Sequence, residues 1–270
     1  MEKVRRLERL VALTKMLSDH PGRLFPLNQF GEMFGSAKST LSEDMVSIRE
    51  ALGHFGLGTL ETVAGAAGGI RYWPVPSEKR EQALLEELAE KLSKPERILP
   101  GGYLYMSDVL YDTQLMSRVG EVFVRRFLKN RPDYIMTVET KGIPLAMMTA
   151  RSFDVPVIVV RRETRVTEGP TVNINYVSGS SRRIQTMSVG KRSLRPGSRV
   201  LIMDDFMKAG ATAKALVDLA HEMDVEVVGT GMLMVTSEPK RKLFNDYETL
   251  LKLKVMNEET GEIQIEPCFK

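Results

Sequence analysis

Apolar residues near the start of the chain recur at helical spacing. Val4, Leu7, Leu10, Val11 and Leu17, with Thr14 among them, predict an amphipathic helix over 3–19, stopped by His20-Pro21-Gly22. A second helix is predicted after Pro26, with Leu27, Phe30 and Phe34 on one side and a break at Gly35-Ser36. A third runs from about Lys38 to Phe55, with Leu41, Met45, Ile48 and Leu52 on one face, and Gly56-Leu57-Gly58 ends it. The runs 59–63 and 70–73 then read as a β-hairpin around the flexible tip Gly65-Ala66-Ala67-Gly68-Gly69. Pro74 and Pro76 close this unit, and Leu84, Leu85, Leu88 and Leu92 stripe a charged helix over 77–93.

Three helices followed by a hairpin is the order of a winged helix-turn-helix, in which the third helix reads DNA and the hairpin is the wing. The turn Gly35-Ser36-Ala37 has the small residues required, and the third helix opens on polar and small side chains. Lys38, Ser39, Thr40, Ser42 and, on the wing, Arg71 are the candidate DNA contacts. A small helical domain that binds protein is the competing reading.

Beyond residue 98 the pattern alternates. Strand-like runs at 134–138, 155–160, 200–203 and 225–235 are interleaved with helices over 144–153 and 212–223. Such alternation predicts an α/β domain with a mostly parallel sheet covered by helices on both faces. The expected partition is 1–75 for the winged helix, 76–97 for a linker helix and 98–270 for the α/β domain. With 270 residues, 43% hydrophobic and 27% charged, the chain has ordinary globular composition and room for about two domains. No run is apolar enough to span a membrane, no signal peptide is evident, and the single cysteine, Cys268, offers no disulfide or zinc framework. Cytoplasm is the expected location. The net charge is only +3, but 161–200 holds nine Lys/Arg against two acids, a surface for polyanions or a solvated loop.

Candidate chemistry is densest at Val200-Leu201-Ile202-Met203-Asp204-Asp205-Phe206-Met207-Lys208-Ala209-Gly210-Ala211-Thr212. An apolar strand runs into two adjacent carboxylates, a loop of mostly small residues follows, and Thr212 opens a helix. Adjacent carboxylates accept hydrogen bonds from vicinal hydroxyls. Loop amides and a helix N-terminus hold a phosphate dianion, small residues let it approach, and Lys208 adds a point charge. Two solvated acids on a plain strand–turn–helix are the alternative.

This segment resembles the phosphoribosyl pyrophosphate (PRPP) motif of type I phosphoribosyltransferases. The resemblance implies that Asp204 and Asp205 bind ribose hydroxyls and that Phe206 to Thr212 surround the 5′-phosphate. Thr137 to Ala146 is similar to the pyrophosphate loop of those enzymes, with Lys141 and Gly142 on the diphosphate. The stretch Arg161 to Leu194 is similar to their mobile lid, with Arg182, Arg183 and Lys191 as its cations. Tyr103 and Tyr105 are candidates for stacking on a base.

Taken whole, the chain resembles the bacterial purine operon repressors, a family that joins a winged helix to a phosphoribosyltransferase-like domain. The resemblance rests on the segments already quoted and on Ala37-Lys38-Ser39, Ser42-Glu43-Asp44, Pro95-Glu96-Arg97-Ile98-Leu99-Pro100-Gly101-Gly102-Tyr103 and Asn175-Tyr176-Val177-Ser178-Gly179-Ser180-Ser181. It implies a homodimeric regulator on double-stranded DNA at purine operons. PRPP with Mg2+ is the implied inducer, and the guanosine alarmone ppGpp the implied competitor in one pocket. It implies no catalytic residue and no resident metal. The family's motif has glycine where this chain has Ala211, whose Cβ narrows the phosphate loop. From Ile98 on, the chain also resembles xanthine phosphoribosyltransferases, so a purine phosphoribosyltransferase with an accessory N-terminal domain is the rival. A biosynthetic enzyme has no need of the first 75 residues.

Overall fold

The computed structural model describes residues 4–65, 67–163, 169–177 and 183–269. Three helices, α1 (Arg6–Asp19), α2 (Leu27–Phe34) and α3 (Lys38–His54), form the N-terminal unit with strands β1 (Leu24–Phe25), β2 (Thr59–Val63) and β3 (Gly69–Trp73). The strands make an antiparallel sheet in the order β1-β3-β2. Leu13 and Leu17 of α1, Phe30 of α2, Leu41 and Met45 of α3 and Ile70 of β3 share one buried cluster. Each such side chain stabilises the unit by roughly 1.5–3 kcal/mol. The short β1 was not expected from sequence; two residues are too few to show a period.

α3 also buries a charge. Asp44 is fully buried, with Arg9 Nε at 2.5 Å and Arg6 Nε at 3.2 Å. Lys38, Ser39, Ser42 and Glu43 at the start of α3 are exposed, while Asp44 ties α3 to α1.

The second unit holds α4 (Glu78–Leu92), β4 (Ile98–Leu99), β5 (Tyr103–Leu104), α5 (Ser107–Leu110), α6 (Thr113–Phe127), β6 (Tyr134–Val138), α7 (Ile143–Phe153) and β7 (Val157–Val160). It continues with β8 (Thr171–Val177), β9 (Ile184–Gly190), β10 (Arg199–Met207), α8 (Ala211–Glu222), β11 (Glu226–Thr236), β12 (Glu248–Met256) and β13 (Ile263–Pro267). The central sheet runs β13-β12-β11-β10-β6-β7, parallel except at the β13 edge. Side chains alternate across it. Leu201 and Met203 of β10 join the cluster that contains α4, α6 and α7. Val200 and Ile202 join the opposite cluster, with α8 and strand β9. Both faces are therefore covered, as a parallel sheet requires.

Three features differ from the sequence reading. The segment 161–194 is not one long loop: it contains the antiparallel hairpin β8–β9, whose Met187 and Val189 are buried in the cluster that also holds residues of α8. Helix α6 and strands β12 and β13 were not anticipated. The helix read as a linker is built into the second core, where Leu85 and Leu92 are fully buried.

Trp73, the last residue of the wing strand, belongs to that second core as well. Its indole meets Phe153 edge-on at 6.0 Å, and its Nε1 donates to Glu61 at 2.6 Å. The Arg131 guanidinium lies 4.7 Å from the indole ring centre and donates to Glu61 at 2.8 Å.

Candidate functional site

The chain leaves β6 outward to β7 and then returns to the other side of β6 as β10, from which β11 and β12 follow. Order reverses between β6 and β10, and ligands of such sheets bind outside the strand carboxyl ends at that reversal. The pairing of β10 with β6 ends at Ile202↔Met136, while its pairing with β11 continues to Met207↔Val235. The two strands thus part just below Asp204. A cleft of about 870 Å³ opens there, lined by Lys141, the run 204–213, Gly101 to Leu104 and residues 253–257 of β12 and its end.

Asp204 and Asp205 lie within β10, not beyond it as the sequence suggested, because β11 holds the backbone extended past them. Asp204 is 6% exposed, and its Oδ1 accepts the Asp205 amide at 3.0 Å. Neither carboxylate has an ion-pair partner among the described residues. Burial pushes the Asp204 carboxyl well above the usual range, and the adjacent Asp205 charge adds to it. Burial raises Asp205 also, against hydrogen bonding to Asp204 and the nearby Lys141 charge. Asp204 is thus held out of water beside a half-buried Asp205, both with unused acceptor capacity.

Gly142 permits this arrangement. A Cβ there would lie 2.4 Å from Thr137 Oγ1 and 2.6 Å from Asp204 Oδ1. The loop between β6 and α7 therefore presses onto the acidic pair only with glycine at that position. Lys141, beside it, is exposed on the cleft rim. Glu139 of the same loop accepts the Arg162 amide at 2.7 Å and the Arg161 guanidinium at 3.2 Å, a tether that local sequence did not reveal.

Lys208, Ala209 and Gly210 connect β10 to α8. Gly210 has φ +83°, which favours glycine, and a Cβ there would also crowd Phe244 N at 3.0 Å. Ala211 is the first residue of α8 and buried, and helical backbone suits its Cβ. The amides of Ala209 through Ala213 find no acceptor among the described residues, the ordinary condition of a helix start and of an anion site. Phe206 and Thr212 line the same cleft.

Tyr103 is 70% exposed at the cleft mouth. The preceding turn is fixed from far along the chain, since the Gly101 and Gly102 amides both donate to Glu258, at 3.0 and 2.9 Å. Tyr105 does not line the cleft; Arg97 lies 6.0 Å from its ring centre. Arg97 also makes a two-pronged contact with Asp108, both bonds 2.8 Å.

The cations read together as a lid are separated. Arg182 lies outside the described residues. Arg183 is exposed just before β9, and Lys191 is exposed just after it. Seven residues of strand put roughly 23 Å between the two ends.

On the winged helix, Lys38, Ser39 and Ser42 are exposed and Thr40 half-buried along the first turns of α3. Arg71 does not join them. It lies 5.3 Å from the Trp73 ring centre and 3.9 Å from Glu61, turned into the junction between the units. Its place among the DNA contacts is therefore withdrawn. Ala66 of the wing tip lies outside the described residues.

Among the described residues no three His, Cys, Asp or Glu side chains cluster to hold a metal. Magnesium carried on phosphates needs only one or two carboxylates from a protein, which the unpaired Asp204–Asp205 pair supplies. No helix among the described residues is long and apolar enough to cross a membrane.

The comparisons with known proteins match this architecture. Residues 5–74 match the family model "Bacterial purine repressor, N-terminal", and residues 108–261 match "Phosphoribosyl transferase domain". The purine biosynthesis transcriptional repressor PurR of Bacillus subtilis is 47% identical over 98% of this chain and 93% of its own length. The purine biosynthesis transcriptional activator PurR of Lactococcus lactis is 40% identical over 93% and 92%. A xanthine phosphoribosyltransferase of Pediococcus pentosaceus is 30% identical, over 66% of this chain and 98% of its own. Among solved structures, the adenine phosphoribosyltransferase of Rhodothermus marinus superposes with a TM-score of 0.54 at 24% identity. It covers 64% of this chain and 99% of its own, a likeness of fold. A winged helix fused to a phosphoribosyltransferase fold, matched end to end by these regulators, places the chain in the family of bacterial purine biosynthesis transcriptional regulators.

Proposed function

We propose that this chain is a DNA-binding regulator of purine biosynthesis genes, acting as a repressor, that senses PRPP in the β6–β10 cleft and leaves its operator when PRPP binds. The observation that carries the reading is the Asp204–Asp205 pair, Asp204 buried and Asp205 half-buried, with no ion-pair partner among the described residues and a loop of free amides beside it, in a chain that begins with a winged helix.

Asp204 and Asp205 accept the ribose hydroxyls. Phe206, Lys208, Ala209, Gly210, Ala211 and Thr212 surround the 5′-phosphate, and Lys141 and Gly142 meet the diphosphate. Tyr103 covers the mouth, where the base of ppGpp competes for the same volume. Magnesium, when bound, neutralises diphosphate charge, with Asp204 and Asp205 as the residues to hold it. Lys38, Ser39, Thr40 and Ser42 face DNA in a homodimer that presents two winged helices. Of the basic stretch 161–200, Arg182 and Arg183 offer their cations to DNA when the cleft is empty and to the diphosphate when it is filled, while Lys191, at the opposite end of β9, acts apart from them. One element then serves two polyanions, and the linkage is reciprocal.

The rival is a purine phosphoribosyltransferase. It is favoured by the xanthine phosphoribosyltransferase likeness, which covers 66% of this chain. One titration separates the two: duplex from a purine biosynthetic promoter at fixed salt, with and without PRPP and magnesium. Specific binding released by PRPP is expected, and Asp204→Ala with Asp205→Ala should bind DNA normally and ignore PRPP. Absence of DNA binding, with PRPP consumed in the presence of a purine base, would give the enzyme.

A further inference from the structure

Lys242 stands outside the cleft lining, on the segment between β11 and β12, behind the loop that joins β10 to α8. It is 9% exposed. Its Nζ donates to the Lys208 carbonyl at 2.6 Å and lies 3.4 Å from the Pro239 carbonyl. The Thr236 hydroxyl reaches the same Lys208 carbonyl at 3.3 Å and also contacts the Glu238 carbonyl. One residue further on, the Leu243 amide donates to the Ala209 carbonyl at 2.8 Å.

These contacts fix two consecutive peptide planes. Both peptides are trans, and in a trans peptide the carbonyl and the following N–H point in opposite directions. A Lys208 carbonyl drawn back toward Lys242 aims the Ala209 N–H forward. An Ala209 carbonyl drawn back toward Leu243 aims the Gly210 N–H forward. Neither amide has an acceptor among the described residues.

The charge of Lys242 is also unmatched. Among the described residues no carboxylate lies within ion-pair distance of it, and a nearly buried ammonium held only by carbonyls is costly. Burial weakens its hold on a proton, Lys252 weakens it further, and Glu238 opposes both. A dianion on the far side of the loop supplies the missing opposite charge.

We propose that Lys242 is a positioning residue for the phosphate loop: from behind, its ammonium holds the Lys208 carbonyl and thereby aims the Ala209 amide at a phosphate monoester dianion in the cleft. This rests on the reading of the cleft as a PRPP site and assigns a residue outside the PRPP motif to its 5′-phosphate half.

The test uses the full chain and two probes, ribose 5-phosphate for the phosphate loop and inorganic pyrophosphate for the Lys141 loop, titrated by calorimetry. Lys242→Met should weaken ribose 5-phosphate about ten- to a hundredfold, the range of a charge-assisted contact. Pyrophosphate should change by less than about twofold, and Lys242→Arg should recover most of the loss. Equal binding of ribose 5-phosphate by wild type and folded Lys242→Met overturns the proposal while leaving the cleft reading intact. An equal loss of both probes overturns it too, as a structural role. Should Lys242→Met fail to fold, Thr236→Val carries the test, with a loss of about three- to fivefold confined to ribose 5-phosphate and no change as the refuting result. Wild-type protein that binds neither PRPP nor ribose 5-phosphate fails the cleft reading, and the role of Lys242 falls with it.

Discussion

Among the described residues two aspartates are buried, one in each unit, and they are buried in opposite ways. Asp44 in the winged helix is met by two arginines, one of them itself buried. Asp204 in the central strand is met by another carboxylate and its own neighbour's amide. A buried ion with good partners completes a structure; one left without partners holds binding capacity in reserve. The contrast sets an acid that ties two helices together apart from one proposed to bind a ligand.

Asp44→Asn should give the largest effect. It strands the Arg9 guanidinium in the core and costs about 3–5 kcal/mol. The winged helix should melt ahead of the rest in a denaturant titration, and DNA binding should go with it. An unchanged melt would show that the pair is dispensable.

Asp204→Asn should move stability the other way. Removing an unpaired buried charge should raise Tm by about 2–4 °C, the shift that ~1 kcal/mol gives in a chain of this size, while the PRPP response is lost. A lowered Tm would make Asp204 a structural acid like Asp44 and erase the contrast.

The acidic pair also predicts a pH dependence. Both carboxyls are raised in the folded protein. Between the unfolded value, about 4 for Asp, and the raised folded values, the native state holds protons that the unfolded chain has released. Stability therefore falls as pH climbs through that window, and it is fully restored below it. Asp204→Asn should flatten the slope in melts recorded across pH. A slope of the same size in the variant would place its origin elsewhere.

Arg6→Ala should be the smallest change. Its side chain is 61% exposed, so losing its contact to Asp44 should cost less than about 1 kcal/mol. A loss comparable to that of Asp44→Asn would mean that Arg6, and not Arg9, carries the pair.

Much of this was legible in sequence where period and chemistry coincide. The winged helix showed through the spacing of Leu41, Met45, Ile48 and Leu52, and the acidic pair through its abrupt place after Val200-Leu201-Ile202-Met203. Helix α6 was missed although Asp112 caps it and Leu115, Met116, Val119 and Phe123 mark its face. That signal was available. β12 alternates Lys252 and Lys254 with buried Leu251 and Leu253, a half-exposed pattern that reads weakly. Long-range contacts could not be read at all. The inward turn of Arg71 lay closer to hand, since Trp73 is two residues away and Glu61 faces it across the hairpin; what could not be read is Arg131, which joins the same Glu61 from the second unit. Nothing near Gly101 or Lys208 announces Glu258 or Lys242, each separated from its partner by a long stretch of chain.

The placement of Trp73 sets how these two units can be recombined. A cut at residue 75 would leave the N-terminal piece with an indole uncovered and the C-terminal piece with a hole beside Phe153. Chimeras that exchange winged helices between relatives should therefore carry Trp73, Glu61 and Arg131 as one inheritable block, with the crossover placed outside them. Such a hybrid keeps the mechanical connection between the winged helix and the phosphoribosyltransferase-like unit, whereas one joined at the obvious boundary links two intact folds that no longer grip each other.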